Sequence, residues 1–275
     1  MAYRNSIGPA FFWCVVFIFL NTAASGQSKQ VAFLTNSSLK LAPPIIQVDS
    51  LLFKNSAWAN ILLRQDGAVL HYTLDGSKVS IDSPKYESPI ELHETTQLRT
   101  KAFHTNYQPS ETISLTARKI QKDLRTTEIR TQPNPSEAYS ASGAKTLIDG
   151  QKGSLNFRQG NLWLGFQESE ISVSLNFEQP MEIQKVVVSV LNDQDSWIFL
   201  PQKFMVLASG KTLGSITLDG CHEKQLKHAD FVEIVIPPDS YSELTVKIAP
   251  MEGIPEWHAG KGTTPWTFID EILIE

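Results

Sequence analysis

ISVSLNF, residues 171–177, sets Ile171, Val173, Leu175 and Phe177 against Ser172, Ser174 and Asn176. Strict alternation gives a strand one apolar and one polar face, so this segment predicts a half-buried β-strand. Further short apolar runs lie downstream at 186–190, 204–207, 232–236, 244–248 and 268–274. No apolar stripe of helical period separates them. Eight or so strands without a helix predict a β-sandwich, large enough here for a jelly roll.

Upstream, apolar runs begin at Leu51 and recur every eight to twelve residues or so. Ala59–Leu63 is one predicted strand. Leu70, Tyr72 and Leu74 then alternate with His71 and Thr73 before the turn signal Asp75-Gly76. Leu98, Thr100 and Ala102 follow the same rule, as do Ile113 and Leu115. The whole chain therefore reads as all-β in two units, a small Ig/fibronectin-III-like sandwich at 44–118 and a jelly-roll sandwich at 136–275. Residues 27–43, ending in Pro43, and 119–135, with mixed charges, Pro133 and Pro135, read as linkers.

Residues 1–26 stand apart. Arg4 precedes the apolar core AFFWCVVFIFL (Ala10–Leu20), and the small residues Ala23, Ala24, Ser25 and Gly26 follow. Eleven apolar residues fall short of the roughly 20 that a membrane span needs. A cleaved secretory signal is the expectation, with no transmembrane segment after cleavage and a secreted, periplasmic or cell-surface location. Cleavage leaves Cys221 as the single cysteine, so the exported domains would rest on their cores rather than on a disulfide. It also removes Arg4 and no acid, so 23 basic against 29 acidic residues give a net charge of −6. That balance argues against nucleic acid, whose binding depends on cations that neutralise phosphates.

The closing stretch, IPEWHAGKGTTPWTFIDEILIE (Ile254–Glu275), places Trp257, His258 and Trp266 in a Gly/Pro-rich loop that leads into an apolar strand. Large aromatics in a loop either pack back on the core or hold a ligand. The strand carries Asp270 and Glu271 side by side, so a period of two sends them to opposite faces, with Glu271 beside Ile269 and Leu273. A carboxylate on an apolar face needs a hydrogen-bond donor, a basic partner or a metal ion.

Two resemblances organise these readings. The run HYTLDGSKVSIDSPKYESPIEL with TQLRTKAFHTNYQPSE (His71–Leu92 and Thr96–Glu111) resembles the fibronectin-III-like C-terminal domain of chitobiases and β-hexosaminidases. Lys78-Val79 stand where that family usually has Pro-Thr. The resemblance implies a spacer or accessory domain without catalytic residues. ASGAKTLIDGQKGS, WLGF, DSWIFLP and PEWHAGKGTTPWTFIDEI resemble galactose-binding-like (discoidin, factor V/VIII type C) jelly rolls. This second resemblance implies a structural Ca2+ held by Asp149, Ser154, carbonyls of the 147–152 turn and Glu271. Its donors are the hard oxygens that Ca2+ prefers. Without a metal, Asp149 would instead cap an Asx turn and Glu271 would pair with Lys145 or Lys152. The resemblance also places ligands on the loops at one end of the sandwich. There Trp257, His258, Trp197 and Trp266, with Asp193 and Asp195, become ligand-binding candidates. Indole faces suit the C–H faces of sugars, and carboxylates suit their hydroxyls. Trp197 and Trp266 border apolar residues and equally suit core plugs. Trp163 and Trp58 read as packing residues.

No Gly-x-Ser-x-Gly elbow, His-Glu-x-x-His helix, P-loop or His-x-Gly-Gly-Asp-Glu acid pair occurs. The sequence thus points to a secreted, non-catalytic carbohydrate-binding accessory protein that recognises a glycan or glycoconjugate, with secreted glycosidases as partners. Two alternatives stay open: a structural or protein-interaction module, and the non-catalytic tail of a split β-N-acetylhexosaminidase.

Overall fold

Alternating segments of this kind pair along their backbones, and a computed structural model shows how. It describes residues 39–219, 222 and 227–275; the expected signal segment, most of the 27–43 linker and Cys221 lie outside the described residues. The first sandwich comprises β1 (Ile45–Val48), β2 (Leu52–Phe53), β3 (Ala57–Leu62), β4 (Val69–Thr73), β5 (Ile90–Leu92), β6 (Thr96–Phe103) and β7 (Ile113–Lys119). One sheet has the order β1-β3-β5 and the other β2-β7-β6-β4. Phe53, Ala57, Ala59, Ile61, Leu92, Leu98 and Ala117 fill the space between them. The Asp75-Gly76 turn is present, with Asp75 Oδ1 accepting the Ser77 N–H at 3.0 Å. It does not close a hairpin, because β4 pairs with β6 across a long excursion.

The second sandwich comprises β8 (Glu128–Gln132), β9 (Leu164–Phe166), β10 (Ile171–Asn192), β11 (Lys203–Ala208), β12 (Lys211–Thr217), β13 (His228–Ala249) and β14 (Thr267–Ile274). Two expectations are corrected here. Residues 128–132 of the expected linker are a strand paired with the opening half of β10. The expected strands 171–177 and 186–190 are one 22-residue strand, as are 232–236 and 244–248. The turn residues around Pro180 and Pro237-Pro238 do not end these strands. They bend them, with register shifts between Asn176/Met181 and Ile183/Lys185. Each long strand therefore serves both layers. The opening half of β10 pairs β8 and the closing half of β13, which also carries β11 and β12. The closing half of β10 pairs the opening half of β13 and β14, with β9 beyond. Ile171, Val173 and Leu175 of one layer meet Val186, Val188, Val190, Ile269 and Ile272 of the other.

The sandwiches meet across a small apolar seam of Leu52, Val187 and Leu273, flanked by Ile120 and Phe231. At its edge Arg118, with 5% of its side chain exposed, donates Nη1 to Glu275 at 2.8 Å and Nη2 to Glu233. Lys185 Nζ joins both acids at 3.0 and 3.1 Å. Burial raises the Glu233 carboxyl, but bonds from Lys185 and Arg118 outweigh it and leave the group below its usual range. Phe231 covers the guanidinium, its centroid 5.0 Å from Cζ. Removing Arg118 leaves the buried Glu275 to Lys185 alone, while Glu233, 41% exposed, keeps both Lys185 and solvent. Arg118→Ala should therefore cost about 1–3 kcal/mol, read as a lower midpoint in urea unfolding. A loss under about 1 kcal/mol would show the cluster to be solvated.

Candidate functional site

Strand β14 has no exposed residue. A bulge explains how it holds two acids: Ser189 of β10 opposes Glu271 and Val190 opposes Ile269, leaving Asp270 as the extra residue. Beyond the bulge Ile272 and Ile274 join Ile269 in the main core, while Leu273 faces the seam. Asp270 and Glu271 are thus not simply sent to opposite faces, and Ile269 does not share the seam side with Leu273. One loop, residues 149–153, meets both acids. Lys152 Nζ and the Gly153 N–H donate to Asp270 Oδ2 at 2.7 and 2.6 Å. The Gly150 N–H donates to Glu271 Oε1. Gly153 is required by crowding, since a Cβ there would lie 2.3 Å from Trp163 Nε1. That indole, buried beneath Lys152, donates Nε1–H to the Ser154 carbonyl at 2.9 Å.

The structure brings Asp149 and Glu271 together and leaves Ser154 out. Asp149 Oδ1 accepts the Gln151 N–H at 2.8 Å, the Asx turn expected without a metal, and its carboxyl is a close charged neighbour of Glu271. Ser154 is exposed, its hydroxyl donating to the Asn156 carbonyl at 3.2 Å. Lys152 pairs with Asp270 rather than Glu271, and Lys145 donates to the Thr127 carbonyl at 2.7 Å. Glu271 Oε2 is buried without a partner. The pair borders a cavity of about 190 Å³ at the seam, lined also by Leu52, Lys54 and Leu273. Two adjacent carboxylates with an orphaned buried oxygen fit a hard divalent cation, which would draw its further oxygens from backbone and water. Among the described residues no cluster of three or more His, Cys, Asp or Glu side chains forms a metal cage.

At the loop end, Asp193 and Ile198 exchange backbone bonds at 2.9 and 3.0 Å, closing a tight loop around Gln194–Ser196. Trp197 ends that turn with φ 63°, a left-handed conformation unfavourable for a bulky residue, and is 42% exposed. The facing loop is clipped at its base, Ile254 N–H to Thr263 O and Gly262 N–H to Ile254 O, both 2.9 Å. His258 joins the two loops. Its Nδ1 accepts the Gly260 N–H at 3.0 Å, so Nε2 carries the proton and donates to the Gln194 carbonyl at 3.0 Å. The ring lies between Trp197 and Trp257, centroids 6.4 and 5.7 Å away, with Phe199 beneath at 5.4 Å. Gly260 lets the loop lie against the Trp197 indole, where a Cβ would come within 3.1 Å. Trp257 is 38% exposed. Two partly exposed indoles therefore flank a fixed imidazole.

Other candidates sit elsewhere. Trp266 is a half-buried plug against Tyr139 and Phe268, at 5.1 and 6.0 Å. Asp193, a ligand-binding candidate in the sequence, is buried and paired with Lys227 at 2.6 Å. Asp195 is exposed beside Trp197. Trp163 is core, whereas Trp58 is 45% exposed, against its reading as a packing residue. The sequence reading missed a cavity of about 470 Å³ whose lining includes Glu137, Tyr139, Ser140, Arg158, Asn161 and Trp163. Arg158 lies over Phe157, 4.3 Å from Cζ to centroid, and Asn161 is left-handed at φ 50°. The one available signal was the Gly160-Asn161 turn beside Phe157-Arg158. Tyr139 joins this cavity to Trp266, whose N–H donates to the Trp197 carbonyl at 2.9 Å. The cavity and the tryptophan ridge thus occupy neighbouring loops.

Residues 53–114 match the chitobiase/beta-hexosaminidase C-terminal domain. This chitobiase-type segment is β2 to the start of β7. No curated protein matches the chain. Among solved structures, chitosan-binding module 1 of a chitosanase/glucanase from Paenibacillus sp. IK-5 is 11% identical, TM-score 0.37. The alignment covers 56% of this chain and 99% of that one. A Streptococcus pneumoniae fucose binding module, SpX-3, is 10% identical over 57% of this chain and 98% of its own, TM-score 0.37. The lectin domain of lectinolysin, complexed with Lewis B antigen, is 9% identical over 57% and 97%, TM-score 0.36. None of the helices among the described residues is long and apolar enough to cross a membrane.

Burial, then the neighbouring Asp149 carboxylate, pushes the Glu271 carboxyl up to about 9 from 4.5. With no cation bound, the folded protein keeps a proton that the unfolded chain releases near 4.5. Stability from this group is full below that value and is lost as pH climbs toward 9. Melting temperature in chelator should fall across this window, and Glu271→Gln should flatten the fall. Parallel curves for the two proteins would disprove the assignment.

Proposed function

We propose that this chain is an exported carbohydrate-binding accessory protein that holds a glycan on the loop end of its second sandwich. The observation that carries the reading is the pair of partly exposed indoles, Trp197 and Trp257, fixed on either side of His258. Aromatic rings at the surface lose contact with water when a sugar's C–H face covers them, and prior ordering of the loops lowers the entropy lost on binding. Arg158, Glu137 and Asn161 in the neighbouring cavity, with Asp195 beside the ridge, supply donors and acceptors for hydroxyls. The match to a domain described from chitobiase and β-hexosaminidase supports work alongside secreted glycosidases, with the chain itself non-catalytic. Trp257→Ala tests the site. On a glycan array the variant should lose about tenfold or more in affinity for each retained glycan, with its melting temperature unchanged. If Trp257 is instead a core plug, the same change destabilises the fold by about 3–5 kcal/mol.

In this reading Asp149 and Glu271 hold a structural Ca2+ that ties the 149–153 loop to β14. A ligand that binds only the folded state stabilises it by about 2.7 kcal/mol at a hundredfold excess over Kd. Added Ca2+ should therefore raise the melting temperature and Glu271→Gln should abolish the response. A wild-type melt indifferent to both Ca2+ and chelator would refute the cation.

A further inference from the structure

The outer face of the β1-β3-β5 sheet has no role in either reading above, yet it carries the most exposed tryptophan among the described residues. Strand alternation buries Ala57, Ala59 and Ile61 of β3 and turns Trp58, Asn60 and Leu62 outward. The register then sets three rows across the sheet. Ile45 lies beside Leu62, Gln47 beside Asn60, and Trp58 beside Glu91 of β5. Asp49 completes the last row: its N–H donates to the Trp58 carbonyl at 3.2 Å and its Oδ1 accepts the Trp58 N–H at 2.9 Å. Trp58 is 45% exposed, Leu62 44% and Ile45 60%. The face is therefore a ring flanked by two carboxylates, then an amide pair, then an aliphatic pair.

We infer that this face is a second carbohydrate surface, taking one extended, uncharged polysaccharide chain. The chemistry of the rows selects the partner. An indole and an aliphatic pair offer apolar ground to pyranose C–H faces, while Gln47, Asn60 and the two acids offer donors and acceptors to the hydroxyls around them. Asp49 and Glu91, the latter 3.5 Å from His93, disfavour polyanions such as nucleic acid and acidic glycans. Size argues against a second copy of the chain. With rows about 7 Å apart and strands about 4.8 Å apart, the patch is on the order of 200 Å², far below the roughly 800 Å² per partner of a stable protein interface. These observations are independent of the loop-end site.

The test uses the full-length chain and two probes, insoluble chitin and insoluble cellulose, in depletion isotherms. Trp58→Ala should lower affinity for the retained polymer about tenfold, and Gln47→Ala with Asn60→Ala should lower it further, all with wild-type melting curves. Trp257→Ala separates the two sites: polymer retention that survives Trp257→Ala and is lost on adding Trp58→Ala assigns the residual binding to this face. Wild-type affinity in the Trp58→Ala and Gln47→Ala/Asn60→Ala proteins would overturn the inference, as would failure of wild type to bind either polymer. A concentration-dependent dimer in sedimentation, abolished by Trp58→Ala, would also overturn it by assigning the face to a second copy.

Discussion

Two carboxylates inside one fully buried strand form the constraint to which much of the second sandwich answers. Burying an ionised carboxylate without partners is prohibitively unfavourable, so each acid of β14 is either paired or held protonated. Asp270 receives an ammonium and a backbone N–H, while Glu271 receives a backbone N–H and has the Asp149 carboxyl beside it. All these groups come from residues 149–153. The loop is consequently held to the strand at both acids, and Trp163 packs beneath it because Gly153 leaves room. Burial still raises the Asp270 carboxyl despite Lys152, which shows how far the strand lies from solvent.

The same strand positions the loop end. Trp266 leads directly into β14, exchanges backbone bonds with Trp197 and Phe199, and packs on Tyr139 and Phe268. Anchoring β14 therefore fixes one wall on which the Trp197 loop rests, and His258 then ties the 254–263 loop to that wall. Exposed aromatics on unsupported loops would collapse onto one another. Here the strained φ of Trp197 is maintained by bonds on both sides of the turn, so the indole keeps its outward aspect.

What the sequence made legible follows from local periodicity. The alternation at 171–177 gave a true strand and the core residues Ile171, Val173 and Leu175. It could not show that this strand continues through Pro180 into 186–190, because a bend between two layers uses the same residues as a turn. Asp270 and Glu271 illustrate the limit at finer scale. A period of two separates them, but a bulge is set by the partner strand, and the partner register is not written in β14 itself. Of the residues the resemblance grouped, Asp149 and Glu271 lie side by side, whereas Ser154 lies apart with its hydroxyl on a carbonyl two residues on. Arg158 and Asn161 went unnoticed because their cavity forms only when the 137–141 turn folds against the 157–163 loop. Trp58 misled for the opposite reason, since β3 alternates in the sense that puts the indole outside.

The seam gives these separate surfaces a common frame. Leu52, Val187 and Leu273 alone bury too little to fix two domains, since interfaces that small leave relative motion as the default. Arg118 adds a directional contact, because its Nη1 and Nη2 reach Glu275 and Glu233 of the other sandwich while Phe231 of that same sandwich covers the guanidinium. Charge burial thus supplies the directional restraint that apolar contact lacks. Were the seam rigid, the β1-β3-β5 face and the loop end would keep a constant separation. If both surfaces bind sugar as proposed, two weak contacts at constant separation would act at a high effective concentration on a glycan that spans both, and give nothing extra on one that does not. A rigid seam would then confer selection for substrate length and spacing, a property that neither contact possesses alone.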